Sequence, residues 1–169
     1  MIWWVRLAVA TGGALLVVAS LGCGSSPTAN RADFISQADK ICKSYGVRGE
    51  RILSRLQKRV ETVKSSKELY SLEAEEGAQL AHLLRRETRD LAMLKAPLDA
   101  ALRWRHALAQ LRVEAEDLQA FARASRRLAE GLPSSPAAKP SGPDAVSRKF
   151  FNIYGFKVCG GTQAAPTSG

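Results

Sequence analysis

A chain of 169 residues has room for one domain of ordinary size and little more. Its 25 Lys and Arg against 16 Asp and Glu give a formal charge of +9; three cysteines are too few for a disulfide-dense scaffold, and two histidines leave little for a metal cage. Apolar residues reach 46%, but they crowd the start, where 16 of the first 22 positions are apolar. The remainder has ordinary globular composition, which excludes a disordered chain and a multi-domain enzyme.

In chain order, the first element is an export signal. Met1 to Arg6 carries one positive charge, and Leu7 to Leu21 is uncharged and apolar apart from Thr11, Gly12, Gly13 and Ser20. Fifteen residues fall short of the ~20 that a spanning helix needs and suit a signal-peptide core. The run closes on Ala19-Ser20-Leu21-Gly22-Cys23-Gly24, which resembles a bacterial lipobox. That resemblance implies residues 1–22 as a cleaved signal, diacylation of Cys23, and an extracytoplasmic protein held on the cell membrane by an N-terminal lipid. Two acyl chains suffice for stable anchoring. An uncleaved anchor and ordinary signal cleavage are the competing readings. Residues 23–32, rich in Gly, Ser and Pro, then read as a flexible tether.

From Asp33 the apolar residues fall at helical intervals. Ile35, Ala38, Cys42, Tyr45, Gly49, Ile52, Leu56 and Val63 form the first stripe. Gly46 and Gly49 are unfavourable inside a helix, so a kink or close packing is expected there. Ser65-Ser66-Lys67-Glu68 reads as a capping box for a second helix, about Lys67 to Lys95, with Leu69, Leu72, Leu80, Leu83, Leu84, Leu91 and Leu94 as its apolar face. Pro97 suits a helix start, so a third helix is placed from there, with Ala101, Trp104, Leu108, Leu111, Ala115, Leu118, Ala122, Ser125, Ala129 and Leu132 inward. It stops at Gly131. A proline-rich loop spans 133–143. Asp144 caps a short fourth helix to Tyr154, with Val146, Phe150, Ile153 and Tyr154 inward and Gly155 as its stop. Residues 161–169 read as a disordered tail.

No window alternates with period two. The expected fold is all-α: three long antiparallel helices plus a short C-terminal helix, a bundle domain over 33–160.

With Cys23 lipidated, Cys42 and Cys159 remain, one at each end of the folded region. In an exported chain such a pair reads as a structural disulfide; free thiols and metal or redox chemistry are the alternatives. The segments Asp33-Phe34-Ile35-Ser36-Gln37-Ala38-Asp39-Lys40-Ile41-Cys42 and Tyr154-Gly155-Phe156-Lys157-Val158-Cys159-Gly160 resemble a group of small exported helical proteins and lipoproteins of high-GC Gram-positive bacteria. The resemblance implies a Cys42–Cys159 link closing the bundle, and an envelope location. It implies no activity.

Catalytic motifs are missing: neither His82 nor His106 sits in a Glu-x-x-His pair, and no nucleophile elbow, zinc motif or phosphate loop occurs. The expectation is a non-enzyme with no cofactor and no metal. Glu73, Glu75 and Glu76 suit the N-terminal end of helix two, with a weak cation site as the sharper reading. Trp104 is expected in the core. Charge is uneven: residues 31–64 hold nine cations against four anions. Arg48, Arg51, Arg55, Lys58 and Arg59, with Arg148, Lys149 and Lys157 nearby, are either a solvated face or a surface for anionic lipid, wall polymer or an acidic envelope protein. Nucleic acid is disfavoured by export. The function expected is a membrane-anchored binding or scaffolding module; the alternative is a carrier of a small ligand or metal ion in a pocket of the bundle.

Overall fold

The computed structural model describes residues 30–134 and 145–159. The signal, Cys23, most of the tether, most of the proline-rich loop, Asp144 and the tail lie outside the described residues. Among those described, the chain forms four helices and no strand: α1 (Arg31–Val60), α2 (Ser66–Ala92), α3 (Ala101–Ala129) and α4 (Ala145–Tyr154). None of them is long and apolar enough to cross a membrane.

The ends follow from local chemistry. Asn30 caps α1, its side chain accepting the Ala32 N–H at 2.9 Å, so the helix starts two residues before Asp33. At α2 the Ser65 hydroxyl accepts the Glu68 N–H at 3.2 Å, and Glu68 reaches back past Ser65 to the Lys64 N–H at 2.9 Å. This is the expected capping box, displaced by one residue on its return arm. The expected start of α3 at Pro97 is corrected. The Pro97 carbonyl accepts the Ala100 N–H at 3.0 Å in a turn, and the helix begins only at Ala101. Proline has fixed the turn rather than the helix.

Both α3 and α4 end on glycine in the left-handed region, Gly131 at φ 74° and Gly155 at φ 97°. The Leu132 N–H then bonds to the Arg127 carbonyl at 2.8 Å and the Phe156 N–H to that of Phe151 at 3.0 Å, satisfying otherwise orphaned carbonyls. The turn at Gly155 swings Phe156 back into the core.

That core is aromatic. Phe34 of α1 meets Trp104 of α3 edge-on with centroids 4.9 Å apart, and Phe156 stacks on Trp104 at 5.8 Å. Phe150, Phe151 and Tyr154 complete the cluster. The inward face of α4 is therefore Ser147, Phe150, Phe151 and Tyr154, and the expected Val146 and Ile153 are 58% and 64% exposed. Turning the helix brings one more ring, Phe151, into the aromatic cluster in place of Ile153, and puts the small Ser147 inward in place of Val146.

α2 and α3 pack closely through small residues. A Cβ added at Gly77 would lie 3.4 Å from that of Ala122, and Ala74, Ala81 and Ala115 are buried on the same faces. Ser125 donates to Glu73 at 3.2 Å and Arg85 to Gln119 at 3.0 Å. Between α1 and α2, Tyr45 donates to Asp90, Arg55 to Gln79 at 2.7 Å, and Arg59 to Glu75 at 3.0 Å. α4 rests on α3. The backbones of α1 and α3 stand apart, bridged at one end by Phe34 and Trp104, so one side of the bundle is open.

Candidate ligand groove

The opening is a groove of about 590 Å³ between α1 and α3, with α2 at its back. Its walls are mainly leucine: Leu53 from α1, Leu80, Leu83 and Leu84 from α2, Leu111 and Leu118 from α3. Phe151, Val158 and the Cys42–Cys159 disulfide close one end. The two sulfurs are bonded at 2.06 Å with Cα atoms 5.4 Å apart, which joins the middle of α1 to the segment after α4.

Asp39 fixes that join. Its carboxylate accepts the backbone N–H groups of Lys157 at 2.8 Å, Val158 at 3.0 Å and Cys159 at 3.0 Å. Three charge-assisted bonds to one side chain hold the closing segment against α1 beside the disulfide. Gly46 and Gly49 also face the groove. A Cβ at Gly46 would meet nothing within 4 Å, and one at Gly49 only Leu83 at 3.7 Å. Neither glycine marks a close approach; α1 stays helical through both, and their missing side chains leave the groove open there.

Two carboxyl groups enter this apolar space, Glu87 from α2 and Glu114 from α3. Burial, helped by the charge of Glu114, pushes the Glu87 carboxyl up to about 7. Burial, then the charge of Asp117, raises Glu114 as well. Among the described residues, neither makes an ion pair or a hydrogen bond to a side chain. The other charges on the lining are Lys43 and Glu50 of α1. Chemically, the groove offers apolar walls and two carboxyl groups that burial makes more reluctant to lose their protons, Glu87 up to about 7.

The residues singled out in the sequence are placed as follows. Arg48, Arg51, Arg55, Lys58 and Arg59 are all exposed along α1. Arg55 and Arg59 are committed to α2: Glu76 lies 3.6 Å from Arg55 and 3.4 Å from Arg59, which also pairs with Glu75. Glu75 and Glu76 are thus the counter-charges of helix one, and Glu73 accepts from Ser125. The Arg48 guanidinium lies over the Tyr45 ring at 5.3 Å. Arg148 and Lys149 are exposed on α4, which packs on α3; the disulfide does not bring α4 alongside the Arg48–Arg59 stretch. His82 and His106 are exposed, and Trp104 is 3% exposed in the core. Among the described residues, no three His, Cys, Asp or Glu side chains are grouped to hold a metal ion.

Sequence reasoning passed over Glu87, Glu114 and Asp39. A signal was present for the first two. Glu87 sits inside the leucine stripe 80-83-84-91, and Glu114 lies between Leu111 and Leu118 at helical spacing.

Comparison with protein-family models, with curated proteins and with solved structures gives no match. The site is therefore read from its own geometry.

Proposed function

We propose that this chain is a non-enzymatic, extracytoplasmic binding protein, anchored through a lipid on Cys23, that holds a small amphipathic ligand in the groove between α1 and α3. The observation that carries the reading is the groove itself: about 590 Å³, leucine-walled, with the carboxyl groups of Glu87 and Glu114 on its lining and near enough for the charge of one to raise the other. Ligand sites of this size are characteristically apolar with a few placed polar groups. The reading includes an antiparallel arrangement of α1, α2 and α3. It is supported by the order of their cross-helix partners, 45 with 90 and 59 with 75, then 73 with 125 and 85 with 119.

Two experiments test it. Cys23→Ser should leave an unprocessed precursor that takes up no labelled fatty acid; processing and acylation of the variant would refute the anchor. Chain purified from producing cells should carry a small lipophilic molecule in native mass spectrometry, and Leu84→Trp, which fills the groove, should arrive without it. Equal occupancy in both would refute the groove.

A second reading, a basic face for anionic lipid, wall polymer or an acidic envelope protein, draws support from Arg51 and Lys58. Both are exposed and make no ion pair among the described residues. Binding to anionic vesicles that weakens with salt and with Arg51→Gln/Lys58→Gln would favour it; salt-independent binding would not.

A further inference from the structure

The geometry points to a ligand class for the groove: an organic cation with a hydrocarbon tail, its ammonium held between Glu87 and Glu114 and its tail lying along the leucine wall. This rests on the groove reading above and deepens it.

The chain is strongly cationic, yet the groove between α1 and α3 presents the carboxyl groups of Glu87 and Glu114 from two different helices. Other carboxylates packed between the helices are matched: Glu76 by Arg55 and Arg59, Asp39 by three N–H groups, Glu73 by Ser125 and Asp90 by Tyr45. Glu87 and Glu114 lack such partners, and burying unmatched ionisable groups is costly unless something completes them. A ligand bearing positive charge does so.

The surroundings then choose among cations. A hard metal ion takes six or more oxygen ligands and retains water. Here leucines from all three helices line the same groove, and no group of three potential ligands is present among the described residues. An alkylammonium needs only the charge and the apolar wall. Lys43 at the α1 rim opposes cation entry, and Glu50 on the same helix favours it; α4 and the closing segment contribute only Phe151, Val158 and Cys159 to the lining, none of them charged. Because burial and mutual repulsion hold Glu87 partly protonated near neutrality, cation binding competes with protons and strengthens as pH rises through about 7.

The test uses three probes with one tail: octyltrimethylammonium, octanol and octanesulfonate. Each is titrated calorimetrically into the full chain in lipid nanodiscs, with empty nanodiscs as reference, at pH 5.5 and 8. None of the head groups titrates in this range. The expected order at pH 8 is cation over alcohol by about tenfold and sulfonate weakest, with the cation's advantage shrinking several-fold at pH 5.5. Glu87→Gln/Glu114→Gln should bring the cation to within about twofold of the alcohol and leave the alcohol unchanged. Glu116→Gln/Glu130→Gln, which removes the same charge from exposed positions, should preserve the native order. Equal binding of cation and alcohol to the native chain, or a cation preference that survives the groove double variant, overturns the ligand class while leaving the groove reading intact. Failure of all three probes to bind overturns both.

Discussion

The carboxylate of Asp39 accepts the backbone N–H of Cys159 at 3.0 Å, one helical turn before Cys42, the residue to which Cys159 is bonded through sulfur. Two linkages of different chemistry therefore hold the same segment against α1. Asp39→Ala leaves three donors without their acceptor and should destabilise the fold by about 2–3 kcal/mol in urea melts, with the disulfide still formed. Reduction of the native chain should cost a similar ~2–4 kcal/mol. An Asp39→Ala midpoint within error of native would mean that the sulfur bridge alone fixes the segment.

Glu87 makes stability depend on pH in an uncommon direction. Its folded carboxyl sits at about 7 against an ordinary value of 4.5. As pH rises from about 4.5 to 7 the unfolded chain sheds this proton while the folded chain retains it, so stability from this group falls across that window and stays low above it. Glu87→Gln should raise stability at pH 8 by on the order of 2 kcal/mol and change little at pH 4. Melting curves of the two proteins that run parallel across the whole range would refute the burial of this charge.

The glycines separate by backbone. Gly46 lies inside α1 with open space around it, so Gly46→Ala should stabilise by about 0.5–1 kcal/mol. Gly155, at φ 97°, turns Phe156 into the core, and Gly155→Ala should cost about 1–2 kcal/mol. Urea midpoints with unchanged m-values would measure both, and equal effects would contradict the assignment.

The helical class, the Ser65 cap, the stop at Gly155 and the α3 stripe as far as Ala129 were legible in the sequence because each is local: a period, a cap or a residue requiring positive φ; Leu132, past the Gly131 turn, is 44% exposed rather than inward. The face of α4 was not, since Val146 and Ile153 are as apolar as their neighbours and only the aromatic cluster around Trp104 decides which side turns inward. The site was largely hidden. The leucine stripes were plain, but a groove exists because α1 and α3 fail to meet over part of their length, a relation between helices distant in sequence. Arg55 and Arg59 read as free charge for the same reason; their partners Glu75 and Glu76 come from the opposing helix.

Whether a ligand enters between α1 and α3 is tested most directly by methyl-resolved NMR of the chain titrated with octanol, whose neutral head isolates the apolar contact. The groove predicts saturable shifts at Leu53, Leu80, Leu83, Leu84 and Leu111, with the exposed Leu98, Leu102 and Ile153 unmoved. Shifts confined to those three surface residues, or no saturable shift at all, would contradict it.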